Sequence, residues 1–293
     1  MADIFFSFSF ADTINQFVTW LVQDYGDSFH HITELLLSYL LVPLERGLIA
    51  LPPALVLAGV AGLSYHATRR LGISALLVVA LYLIGCLGLW DKLMQTLALM
   101  MVSTLLTVLL GVPLGIWMSR SKGLRLALAP VLDVMQTLPT FVYLIPVLML
   151  FGLGKVPAIF ATVIYALPPL VRLTDLGIRQ VDGEVQEAAC SFGTTYWQLL
   201  FGVQLPLARP SIMAGINQSV MMALAMVVIA SMIGSRGLGE DVLAGINNMD
   251  MGKGMQAGIA IVILAIVIDR ISQAYGQDGR MKAMRRRSKA ATR

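Results

Sequence analysis

The chain has 293 residues, of which 57% are hydrophobic and 13% charged, with a net charge of +4 and a mean hydropathy of +0.79. Soluble domains carry about 25% charged residues, so this composition excludes a water-exposed globule and reads as an integral membrane protein. Continuous rather than alternating apolar runs exclude a transmembrane β-barrel. The basic residues flank those runs as membrane loops require, which argues against nucleic acid as a partner.

The first 46 residues carry Asp3, Asp12, Asp24, Asp27, Glu34 and Glu45 against a single arginine, Arg46. Phe6, Phe10, Ile14, Phe17 and Leu21 recur at spacings of four and three, one face of a helix. Ile32, Leu35, Leu36, Tyr39 and Leu40 repeat that spacing. Two readings stay open: amphipathic helices on the outer leaflet, or an accessory bundle packed on the first spans. Met1-Ala2-Asp3 lacks the basic start of a signal peptide.

Seven apolar segments follow: Leu48–Tyr65, Ile73–Leu89, Leu93–Met118, Val131–Leu153, Pro157–Val171, Ile212–Ile233 and Met255–Ile268. A spanning helix needs roughly 20 apolar residues, so about seven transmembrane helices are expected. The connections alternate in charge. One set, from Arg69 and Arg70 through the tail Arg285, Arg286, Arg287 and Lys289, holds 16 of the 21 Lys and Arg. The positive-inside rule puts that set in the cytoplasm, the N-terminus outside and the C-terminus inside. Cys86 then lies near the outer face and Cys190 in a cytoplasmic loop, too far apart for a disulfide.

Between the fifth and sixth segments lies a polar island, Arg172 to Pro206. Asp182, Glu184 and Glu187 open a short helical run to Phe192, where acidic groups suit a helix N-terminus. Gly193 fits a left-handed C-cap. Thr195 with Gln198 fits a capping box that starts a second helix. Leu205-Pro206 is expected to end it, because proline cannot continue the ladder. Ala188 and Ala189 leave one surface small enough for a partner to approach closely. Taken alone, such a loop also fits an ordinary connection resting on headgroups.

No Gly-Lys-Ser/Thr phosphate loop, HExxH cluster or Gly-x-Ser-x-Gly elbow occurs, and His30, His31 and His66 form no metal-ligand pattern. No cofactor or metal is expected on the chain. Of the ionisable residues only Asp133 falls inside an expected span, near its start. Ion-coupled carriers bury charge mid-membrane, so the driving force is expected from elsewhere. Candidate translocation-path residues are Gln136 and Thr137 in the fourth span and Asn217, Gln218 and Ser219 in the sixth. Interhelical hydrogen bonding is the competing use of such side chains.

Glu187-Ala188-Ala189, Gly193 and Val203-x-Leu205-Pro206, at this combined spacing, resemble the EAA signature of ATP-binding-cassette importer permeases. Val203 stands where that pattern usually has isoleucine. Leu132-Asp133, Gln136-Thr137, Phe141 to Pro146, Leu150 to Gly154, Ala166 to Pro169, Arg172-Leu173-Thr174, Ser191-Phe192-Gly193 and Gly237-Leu238-Gly239 are similar to the glycine betaine/proline betaine permease subgroup. The likeness covers roughly 93–273.

The resemblance implies a MetI-like type I importer permease fold in the bacterial inner membrane. Residues 1–46 would be extracytoplasmic helices, 47–92 two peripheral spans, 93–272 the permease core with the coupling loop 172–209, and 273–293 a basic tail. It implies that Glu187, Ala188, Ala189 and Gly193 contact a separate cytoplasmic ATPase, which holds ATP-Mg, while Leu205 and Pro206 fix the return to the membrane. It further implies an external solute-binding protein, a permease homodimer, and a quaternary-amine solute such as glycine betaine, proline betaine, choline or carnitine. An amino-acid importer permease and an ion-coupled carrier or channel are the alternatives.

Overall fold

In the computed structural model, which describes residues 11–291, with side chains from Asp12 to Tyr275 except Ile14, every element is a helix. Phe6 and Phe10 of the expected N-terminal face lie outside the described residues, as do the Ile14 side chain and those of the basic tail. The elements are α1 (Ala11–Leu35), a π-helical turn (Leu36–Leu41), α2 (Val42–Ala50), α3 (Pro53–Thr68), α4 (Leu71–Cys86), α5 (Trp90–Arg120), α6 (Lys122–Thr137) and α7 (Thr140–Phe151). There follow α8 (Lys155–Arg179), α9 (Gly183–Ser191), α10 (Tyr196–Leu199), a second π turn (Leu200–Gln204), α11 (Leu205–Ser231), α12 (Leu238–Asn247) and α13 (Met251–Ala291).

Four apolar stretches are long enough to cross a bilayer alone: α5, α8, the run Tyr196–Ser231, and the first 25 residues of α13. At 1.5 Å per residue, the 31 residues of α5 extend about 46 Å, beyond the roughly 30 Å of hydrocarbon. The 16 residues of α4 reach only about 24 Å. Two further apolar helix pairs are each sharply bent, as a broken span or a re-entrant loop is, so four helices are long and apolar enough to cross, or up to six with each pair taken as one span. The expected seven spans are thus not matched one for one among the described residues, with the shorter apolar helix α4 standing beside them.

Both bends fall at proline. The expected span Val131–Leu153 is α6 and α7 meeting at 102°. Leu138 precedes Pro139 and is extended (φ −64°, ψ 136°), the conformation that proline imposes on its neighbour by steric clash. The expected first span likewise breaks at Leu51-Pro52, turning the N-terminal helices from α3 by 102°.

The centre is the triad α5, α8 and α11, brought close by small residues. A Cβ on Gly111 would lie 2.9 Å from Leu170 Cδ2, and one on Gly115 2.6 Å from Thr174 Cβ, so this Gly-x-x-x-Gly pair is the face on which α8 rests. Gly177 does the same against Ser211, and Gly215 against Leu170. Lipid drives no hydrophobic separation between helices, so such close packing supplies the association.

From Leu37 to Leu48 the chain is an accessory layer: Leu41 is fully buried among Leu99, Val102 and Met226, and Glu45 binds Lys155 at 2.6 Å. Further out, Phe29 meets Phe151 edge-on at 5.2 Å, while Phe17, Trp20 and Tyr25 stay exposed.

Candidate functional site

The loop from Arg179 to Leu205 joins α8 to α11 at the end of the bundle that also carries Arg70 and Arg120. Its first helix, α9, is capped by Asp182, whose carboxylate accepts from the Glu184 N–H at 3.0 Å. It stops at Gly193, which takes φ +78° and donates its N–H to the Cys190 carbonyl. Thr194 Oγ1 donates to the Ala189 carbonyl at 2.9 Å. Thr195 and Gln198 form the expected capping box at the start of α10.

Pro206 does not end the second helix. The π turn Leu200–Gln204 lets the Leu205 N–H bond to the Leu200 carbonyl, five residues back. The chain therefore re-enters an α-helix with proline in its first two positions, where no intrahelical donor is required. Helix then runs on to Ser231. Leu205 is half-buried with Ile178, Val181, Ala208, Ile116 and Ile212, so it wedges the loop's base onto the triad; Pro206 is exposed.

The loop has two faces. Outward lie Glu187, Ala188 and Gly193, all exposed, with Phe192 90% exposed beside them. Ala189 is half-buried. Inward, Gln204 is buried; its Oε1 accepts from Arg120 and its Nε2 donates to Gln186 Oε1 at 2.7 Å. Gln186 Nε2 in turn donates to the Val181 carbonyl at 2.9 Å, and the Arg120 guanidinium lies 4.8 Å from the Tyr196 ring. Sequence reading missed Arg120, Gln186 and Gln204, because 84 positions separate the arginine from its acceptor. Arg120 showed only as one more positive loop charge.

The remaining candidates are scattered. Gln136 and Thr137 are exposed beside the α6–α7 bend, with Thr137 Oγ1 returned to the Val134 carbonyl. Ser219 is buried and donates to the Ala166 carbonyl of α8 at 2.7 Å. Gln218 is exposed, and Asn217 buries its Oδ1 without a hydrogen-bond partner. Three consecutive helical residues point about 100° apart, so these three do not share a face. Asp133, expected inside a span, is exposed on α6 and paired with Arg172 of α8.

At the opposite end α12 folds back between α11 and α13. Asp241, 4% exposed, accepts from Lys92 Nζ at 2.6 Å and lies 3.4 Å from Lys253 Nζ. Gly237 meets Thr96 so closely that a Cβ would sit 2.6 Å from its Oγ1, and that hydroxyl accepts the Leu238 N–H. Gly154 N–H bonds the Ile233 carbonyl, tying the α7–α8 turn to the same end.

Residues 107–278, which include the C-terminal part of α5, all of α8 and α11, both loop faces and α12, match the family described as binding-protein-dependent transport system inner membrane component. The chain belongs to this family. Among relatives of this inner membrane component, the glycine betaine/proline betaine transport system permease protein ProW of Escherichia coli is 44% identical over 93% of this chain and 77% of its own length. The glycine betaine transport system permease protein OpuAB of Bacillus subtilis is 45% identical over 90% and 93%. The glycine betaine/carnitine transport permease protein GbuB of Listeria monocytogenes is 54% identical over 71% and 74%. The inner membrane component also shares its fold with a chain of the MetNI methionine ABC transporter in an inward-facing conformation. That match has a TM-score of 0.58 and 18% identity, and covers 63% of this chain and 93% of the other. The MetI-like fold and the betaine-permease resemblance expected from the motifs therefore hold.

Proposed function

We propose that the chain is the membrane-spanning subunit of an ATP-driven importer for a quaternary-amine compatible solute, of the class glycine betaine, proline betaine, choline or carnitine. The family and the activities of relatives at 44–54% identity support the substrate class. The observation that carries the mechanism is the two-faced loop, which exposes Glu187, Ala188 and Gly193 while its inner face is bonded to the bundle.

In this reading a separate ATPase, holding ATP-Mg, seats on Glu187, Ala188, Ala189 and Gly193. Two copies of the chain enclose a central path and rock between inward- and outward-facing states. An external binding protein delivers solute at the α12 end. Gln136, Thr137, Asn217 and Gln218 are path candidates, and the unpartnered Asn217 Oδ1 supports its inclusion. Ser219 is retained as a candidate whose hydroxyl is committed to α8. The loop end is cytoplasmic and the α12 end outside, with the N-terminus outside and the basic tail on anionic headgroups. The amino-acid importer alternative draws on fold alone.

Uptake of labelled glycine betaine by cells making the full system tests the substrate class. Excess unlabelled proline betaine, choline or carnitine should compete and methionine should not; competition by methionine alone overturns the assignment. The two cysteines, Cys86 and Cys190, are both exposed, so they report sidedness in the same cells. A membrane-impermeant maleimide is expected to modify Cys86 and spare Cys190 until the membrane is opened.

A further inference from the structure

We propose that Arg120 is a positioning residue for energy coupling: it latches the loop 182–206 to the end of α5, so that displacement of the loop moves the bundle instead of being absorbed within the loop. The proposal rests on the reading of this loop as the ATPase contact. By backbone the loop belongs to α8 and α11 alone. Its polar tie to α5, the third helix of the triad, is the side chain of Arg120 in the last turn of that helix, beside the apolar contact of Leu205 with Ile116 at the loop's base.

The tie has a direction fixed by chemistry. Guanidinium donates only, so the Gln204 amide must present oxygen to Arg120 and nitrogen to Gln186. Gln186 must then present oxygen to Gln204 and nitrogen to the Val181 carbonyl. Flipping either amide sets donor against donor or acceptor against acceptor. Gln204 is buried, so the mismatch could not be relieved by water. One cation thus orders three pieces of the loop: α9 through Gln186, α10 through the Tyr196 ring, and the π turn through Gln204. The π turn allows Gln204 to face inward while Phe201 and Gly202 face out, and such turns recur at functional sites. Lysine lacks the planar fork that stacks and donates together.

The test uses the complete transporter in vesicles and reads solute moved per ATP hydrolysed, a ratio that does not change with the amount of folded protein. With Arg120→Ala the ATPase should remain attached, while solute per ATP falls about tenfold, within the usual range of coupling between sites. Arg120→Lys should restore it only in part. Arg120→Ala with Gln204→Ala should be no worse than either alone, because both cut one relay. A wild-type ratio in Arg120→Ala, or losses that multiply in the double variant, overturns the latch. Should Arg120→Ala fail to reach the membrane, Gln186→Ala cuts the relay one bond further out: a lowered ratio supports the latch and an unchanged one overturns it. Glu187→Lys separates the two failures. If it abolishes uptake while Arg120→Ala couples normally, only the latch is wrong; if it leaves uptake intact, the loop reading itself is wrong.

Discussion

Reversing the charge at Glu187 should all but abolish uptake and leave the chain folded in the membrane. Glu187 is exposed on α9, and its backbone carbonyl accepts from Ser191 Oγ whatever its side chain is. Exposed substitutions of this kind usually change stability by less than about 0.5 kcal/mol. On the proposed reading the same carboxylate is desolvated against the ATPase. Breaking a charge contact there costs about 2–5 kcal/mol, which is about thirtyfold to several thousandfold in affinity. Glu187→Lys is therefore expected to appear in membranes at wild-type levels, to lose the ATPase on co-purification, and to accumulate little solute. Glu187→Gln should fall between. Intact co-purification and uptake in Glu187→Lys would remove α9 as the contact.

The second large effect is expected at the other end of the bundle. Asp241 is buried and faces two ammonium groups, Lys92 and Lys253. Removing one partner of a buried ion pair costs about 3–5 kcal/mol. Here the lysine side chains keep 33% and 48% exposure, so water takes up part of the charge. The expected loss for Asp241→Ala is nearer the ~1.5–3 kcal/mol of a hydrogen bond to a charged group. The carboxylate also holds α12 to α5 through Lys92, and the Thr96–Leu238 bond and the packing of Leu238 near Leu93 and Met94 would then carry that contact. Thermal unfolding in detergent should shift clearly downward. Lys253→Met, which takes away the more exposed amine at 3.4 Å, should shift it far less. Equal melting of Asp241→Ala and wild type would show that the clasp does not hold α12.

Local signals in the sequence translated well. Asp182, Gly193 and the Thr195–Gln198 box act within a few residues, and the structure places each where its chemistry requires. The apolar segments also mark real helices, because lipid leaves the backbone few alternatives. Angles were not legible: the hydropathy of Val131–Leu153 is continuous across the bend, and only Leu138-Pro139 hinted at it. Pro206 misled for the opposite reason. Its missing donor is harmless after a π turn, and nothing in Leu200–Gln204 announces such a turn. The Arg120–Gln204–Gln186 relay and the Asp241 clasp join residues far apart in the chain, 84 positions in the first case and 149 in the second. Neither has a spacing to read.

In the proposed mechanism, work enters through the loop 182–206 from a separate ATPase. Its most direct test is accumulation of labelled glycine betaine in sealed vesicles holding the complete transporter, with binding protein on the α12 side and ATP confined to the side that bears Cys190. Accumulation should require ATP on that side and should stop with a non-hydrolysable analogue or without the ATPase. Accumulation by this chain alone, driven by a sodium or proton gradient, would contradict the account.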